Sequence, residues 1–346
     1  MSTCRANRSP RIAPLLARSG AFASEPLTVL DVGASGGIDD IWRNFDPSLD
    51  AYGFDPLLNE VKRLNEGAAP GMRYFDAFIG WEGYEAVCPA AQMQDPIASC
   101  SNSATPRTSA SRASQLAGWN QDKVLHNAND EMVMSQNRYS LDDFAYRQNL
   151  SCVDVIKVDT DGFDFEVLLG AKNLLEQGGV LGVLVESQFQ GPIHPYANTF
   201  SNIDRYLRDL GFSLFDLDVW RYSRAALPRK FVFDMPGPTH QGQVLWADAL
   251  YLKDVGDPDF SAKWGVWPSP VKLLKAIALF ELFGLGDCAA ETIKTHAQAL
   301  NEAFGFEAAH LLNLLPPVVE NMILSYESYV HLTDELMRQQ AWRSIP

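Results

Sequence analysis

The chain is short of cysteine, of positive charge and of long apolar runs, and each shortage closes off a class of function. Its five cysteines (Cys4, Cys88, Cys100, Cys152 and Cys288) include no C-x-x-C pair. Such a scatter argues against a disulfide framework or zinc site and fits reduced thiols in a cytoplasmic protein. Lys and Arg number 28 against 43 Asp and Glu, a net charge of −15. A nucleic acid is therefore not the expected partner. With no uninterrupted apolar run of spanning length, no membrane span is expected. The first residues carry Arg5, Arg8, Arg11 and Arg18 without the apolar stretch of a secretory signal. Residues 1–25 read as a flexible tail, with an Arg-rich organelle presequence as the alternative.

What is present is a strand–helix alternation. Leu27–Val32 reads as a buried strand, Gly33–Gly37 as a turn and Ile38–Phe45 as a short helix. Ala51–Phe54 is a second strand, and Pro56 suits the first turn of a helix over Leu57–Glu66. Arg73–Phe75 is a third strand. Residues 92–136 are rich in Ser, Asn, Ala and Gln and read as a lid or long loop. Ser140–Gln148 follows as a helix capped by Ser140. Val153–Val158, the helix Phe163–Glu176, the strand Val180–Glu186 and the helix Phe200–Leu210 come next. Phe212–Leu217 and Val244–Leu252 have no obvious helix between them, which predicts a mostly parallel sheet with a final antiparallel hairpin. After a Pro/Gly/Trp-rich connector, Val271–Leu285, Ala289–Asn301, Ala308–Leu315 and Val318–Arg338 predict an all-helical appendage over 271–346. Its stripe of Leu273, Leu274, Ile277 and Leu282 reads as core.

A strand that runs into a glycine turn is a generic nucleotide site, because backbone N–H groups can point at a ligand. Here the turn is Gly33-Ala34-Ser35-Gly36-Gly37, which lacks the G-x-G-x-x-G spacing of dinucleotide sites. Asp31 stands two residues before its first glycine. A carboxylate there suits a cationic cofactor better than a pyrophosphate, and S-adenosylmethionine (SAM) carries a sulfonium and an amino group. Asp55 ends the second strand, where an acid can accept both ribose hydroxyls; NAD sites use the same device. The plain alternative is a tight turn with Asp55 as a helix cap.

DVGASGG (Asp31–Gly37), YGFDP (Tyr52–Pro56) and DVIKVDTDGFDFEVLLGA (Asp154–Ala171) together closely resemble the FkbM-type SAM-dependent methyltransferases. Lys157, Val158, Asp159, Asp161, Gly162, Asp164, Glu166, Leu168, Gly170 and Ala171 fall in register on that family's hallmark. Asp161 and Asp164 stand where the family usually has Glu, and Leu169 where Lys is common. The resemblance covers roughly Leu27–Asp254. It implies a Rossmann-like class I methyltransferase domain over 26–255, with a mostly parallel seven-stranded sheet. It also implies methyl transfer to a hydroxyl, often on a sugar or secondary metabolite. The cofactor-binding residues would be Asp31, Gly33, Ala34, Ser35, Gly37, Asp55, Pro56 and Asp76.

A hydroxyl needs a base or metal to become a nucleophile at neutral pH. Asp159, at a strand end, is the first candidate, with Lys157 two residues earlier to tune it or orient the substrate. Glu186 ends the next strand, and His194 is a natural base by its pKa, although a lone loop histidine is more often an ordinary residue. Asp161 and Asp164 have the spacing of a capping pair. A divalent metal on Asp159, Asp161 and Glu186 is compatible with these ligands and not demanded. A catalytically degenerate scaffold and an NAD(P)-dependent oxidoreductase are the rival readings. The expected partners are a small-molecule or carbohydrate acceptor and a second copy of the chain through the helical region.

Overall fold

The computed structural model describes residues 6–7, 9–83, 133–150, 152–160, 162–177, 179–190, 193–222, 242–265, 268–319 and 322–339. The chain divides into two compact units. One is Leu27–Asp39 with Leu49–Lys253; the other is Met1–Pro26, Asp40–Ser48 and Asp254–Pro346.

The larger unit is a seven-stranded sheet. Its strands are β1 (Leu27–Val32), β2 (Leu49–Asp55), β3 (Met72–Asp76), β6 (Val155–Val158), β7 (Gly182–Gln188), β8 (Ser213–Tyr222) and β9 (Gln243–Leu252). Two short strands, β4 (Phe78–Ile79) and β5 (Arg138–Tyr139), pair separately. The order is β3-β2-β1-β6-β7-β9-β8, parallel except where β9 inserts antiparallel between β7 and β8. The expected parallel sheet and final hairpin are both present. β1 is buried along its whole length, which fits its mostly apolar sequence. The order in which strands are added to the sheet switches sides between β1 and β6, and in such sheets ligands sit beyond the carboxyl ends at that point.

Helices α2 (Leu58–Glu66), α3 (Leu141–Arg147), α4 (Asp164–Leu169), α5 (Lys172–Glu176) and α6 (Phe200–Asp209) connect the strands. Ser140 caps α3, its side chain accepting the Asp143 N–H at 3.1 Å. The single helix expected over Phe163–Glu176 is two, broken at Gly170. A Cβ there would meet the Gly80 carbonyl oxygen at 2.2 Å. The core packs Leu30, Ile156 and Val183 of the sheet with Leu141, Phe144, Phe165 and Leu168 of the helices. Phe144 stands edge-on to Phe54 at 4.6 Å and to Phe75 at 5.0 Å. The segment expected as a lid lies outside the described residues up to 132.

In the smaller unit, residues 1–25 are not simply a flexible tail. Helix α1 (Ile12–Ser19) buries Ile12, Ala13, Leu16 and Ala17. Its first turn is held by Glu281, whose carboxylate accepts the N–H groups of Arg11 at 2.6 Å and Ile12 at 2.8 Å. Four isolated arginines hid this short apolar stripe. The helices α7 (Phe260–Trp264), α8 (Pro270–Leu282), α9 (Gly286–Thr295), α10 (Ala297–Phe304) and α11 (Tyr326–Arg338) follow. All of Lys272–Leu282 is buried, including the expected core stripe. Lys275, fully enclosed, is neutralised by Glu25 at 2.9 Å and also donates to the Pro26 carbonyl. The region is not all-helical: β10 (Val318–Val319) and β11 (Met322–Ile323) form a small hairpin inside the stretch expected as one helix. The helix expected over Ala289–Asn301 breaks at His296, whose ring meets the Val255 carbonyl at 2.8 Å.

Candidate functional site

The register of β1 and β6 places Asp31 opposite Lys157 and Val32 opposite Val158. Lys157 Nζ lies 2.9 Å from Asp31 Oδ1, 3.8 Å from Asp159 Oδ2 and 3.3 Å from the Gly33 carbonyl oxygen. One ammonium thus ties the acid before the glycine turn to the acid that follows β6. Burial pushes the Asp31 carboxyl above its ordinary range, against the pull of Lys157. Burial also works against the Lys157 charge, but Asp31 and Asp159 outweigh it and hold the ammonium above its usual value.

The glycine turn is built on internal hydrogen bonds. Gly33 and Ala34 donate to the Phe54 carbonyl, Gly37 to the Ala34 carbonyl and Ile38 to the Tyr74 hydroxyl. Gly36 donates to Glu60 Oε1 at 2.9 Å, and Arg63 clamps both oxygens of that buried carboxylate at 2.6–2.7 Å. The expected outward-pointing N–H cradle is therefore replaced by an inward one. A turn that spends its donors this way has little to offer a pyrophosphate. Ser35 is exposed at its tip.

Asp55 is buried at the end of β2, and its Oδ1 accepts the Leu57 N–H at 2.8 Å. It braces the turn into α2, which starts at Leu58, so Pro56 precedes the helix instead of opening it. Burial pushes the Asp55 carboxyl up to about 6. Pro56 accepts the Ser135 N–H at 2.7 Å, and Asp76 accepts from the Ser135 hydroxyl at 2.9 Å and the Asn137 amide at 3.0 Å. Asp55 and Asp76 are register partners on β2 and β3. Asp31, Asp55, Asp76 and the turn are thus brought together at the carboxyl ends of β1, β2 and β3.

The capping-pair reading of Asp161 and Asp164 does not hold. Asp161 lies outside the described residues, and Asp164 opens α4 itself instead of standing at its third position. Its fully buried carboxylate accepts from Thr160 N and Oγ1, Gly162 N and Asn198 Nδ2 at 2.8–3.1 Å. Burial pushes it up to about 6. Glu186 is third from the end of β7, not its last residue, because pairing with β9 extends the strand to Gln188. His194 is engaged in its own loop: Nδ1 accepts the Tyr196 N–H at 3.2 Å. Tyr196 in turn packs 6.2 Å from Trp81. Of the divalent-metal set Asp159, Asp161 and Glu186, Asp161 lies outside the described residues.

Sequence reading missed Glu60, Tyr74 and Asn198. Glu60 carries a local signal, an acid in the first turn after the Asp55 strand end. Asn198 acts through a contact 34 residues away, which no local pattern marks.

A family model described as the methyltransferase FkbM domain matches residues 32–214, more than half of the 346. The chain belongs to the FkbM methyltransferase family. No curated protein matches it. Among solved structures, a TehB-like SAM-dependent methyltransferase from Corynebacterium glutamicum is 12% identical, covering 69% of this chain and 92% of its own, with a TM-score of 0.27. The N-terminal domain of EvdMO1 with SAH bound is 9% identical over 72% and 82%, with a TM-score of 0.29. The 23S rRNA methyltransferase ErmE is 11% identical over 95% and 99%, with a TM-score of 0.26. Likenesses this distant carry no argument about substrate. As an FkbM methyltransferase, the chain takes SAM as its methyl donor, and the donor set fits it: two acids, and a turn with its N–H groups withheld from an anion. The oxidoreductase reading falls with that assignment.

Proposed function

We propose that this FkbM methyltransferase moves the SAM methyl group to a hydroxyl of a sugar or secondary metabolite. The observation that carries the reading is the Asp31–Lys157–Asp159 chain, which joins the cofactor turn to an acid at the expected acceptor position. Asp55 would offer its second oxygen to the ribose hydroxyls, and Asp31 would attract the amino group. Gly33, Ala34, Ser35, Gly37, Pro56 and Asp76 would frame the nucleoside. Bound SAM supplies an electrophilic methyl group on a good leaving group. Asp159, already engaged with Lys157, would align the acceptor, and alignment is worth several kcal/mol on its own. Trp81 and Tyr196 offer an aromatic wall of the kind sugars stack on, with His194 at its edge. The thiols of Cys152 and Cys288 fit a reducing, cytoplasmic setting. Association through the helical region remains part of the proposal; among the described residues, no helix is long and apolar enough to cross a membrane.

The test is methyl-labelled SAM incubated with a panel of sugars and hydroxylated metabolites. Label on an acceptor oxygen supports the reading. Tight binding of S-adenosylhomocysteine (SAH) with no acceptor labelled would instead favour a degenerate scaffold.

A further inference from the structure

The antiparallel insertion of β9 brings a second acid to the working edge of the sheet. Asp248 is the register partner of Glu186 on β7 and of Asp218 on β8. Cross-strand partners, and residues two apart on one strand, share a face. Leu184 faces Lys157 across β6, so Lys157, Asp159, Glu186, Asp248 and Asp218 stand on one face, beginning beside Asp31. Trp220 donates its indole N–H to Asp248 Oδ2 at 3.3 Å.

We propose that Asp248 is the carboxylate that accepts the acceptor's hydroxyl proton during methyl transfer, oriented by Trp220. This rests on the O-methylation reading above. Asp159 is engaged with the Lys157 ammonium, and Asp248 accepts the Trp220 indole N–H. Burial is the main reason the Asp248 carboxyl is pushed up to about 6, and Asp159 and Asp218 push the same way. Trp220 and Lys157 pull against them, and Glu186 faces it from β7. A base of that strength is deprotonated at neutral pH yet basic enough to share a proton. As the acceptor oxygen bonds to the methyl carbon, its proton passes to Asp248. The carbon–sulfur bond breaks with its electron pair left on sulfur, which becomes a neutral thioether. The proton then leaves to water.

The experiment compares wild type, Asp248→Asn and Trp220→Phe at saturating SAM, with methyl hexosides as acceptors, from pH 5 to 8. SAH affinity and melting temperature are measured for each. Wild-type turnover should rise with pH and level off above about 6. Asp248→Asn should lose about 100-fold or more and flatten the profile, with SAH affinity held within about threefold. Trp220→Phe removes a bond that favours the charged form, so its break should move to higher pH. Asp248→Asn turnover near wild type, or a loss of SAH affinity matching the loss of turnover, overturns the proposal. A wild type inert on every hexoside overturns the sugar O-methylation reading and this inference with it, whereas an active wild type with an active Asp248→Asn overturns the inference alone.

Discussion

At Gly33, φ is +80° and a Cβ would sit 1.8 Å from the Asp159 carbonyl oxygen. The close approach of the two strand ends leaves no room for any side chain. Gly33→Ala should cost at least about 2 kcal/mol of stability in urea melts and disorder the turn; a wild-type melt would contradict that packing. Asp31→Asn keeps the shape of its side chain but loses the charge that Lys157 answers. SAH affinity should fall at least about tenfold with the circular dichroism spectrum retained. The two oxygens of Asp164 accept from four donors around it. In Asp164→Asn an amide would face at least one N–H, and chemical denaturation should show a loss of about 2 kcal/mol.

The elements that position the site act through second contacts. Glu60, on α2, holds Gly36 and is itself held by Arg63. Glu60→Ala frees that N–H and should weaken SAH binding about tenfold by calorimetry, or 1.4 kcal/mol. Melting should change far less, since Arg63 is largely exposed. The strands and the glycine turn were legible because buried parallel strands are mostly apolar and glycine marks positive φ. The hallmark residues were legible because they lie on one continuous stretch. The boundary of β7, the break at Gly170 and the role of Asp164 were not. Each is decided by a distant partner: β9, the Gly80 carbonyl and Asn198. Helix α1 escaped notice because Glu281, 270 residues on, supplies its cap.

For the whole molecule, three buried carboxyls, those of Asp55, Asp164 and Asp248, are raised from 3.8 to about 6. A group with a raised folded pKa adds stability that is fully present below its unfolded value and lost as pH rises through the folded one. The melting temperature should therefore rise as pH is lowered from 7.5 toward 5.5. A flat or falling profile would contradict the burial of these acids. SAH binding should move the other way, weakening below about 6 as Asp55 takes a proton and loses acceptor capacity. The most direct test of the central claim is a calorimetric titration of the purified chain with SAH, with NAD⁺ run in parallel. Micromolar binding of SAH and none of NAD⁺ is the expected result; no SAH binding, or binding of NAD⁺, would contradict a SAM site at the Asp31–Gly37 turn.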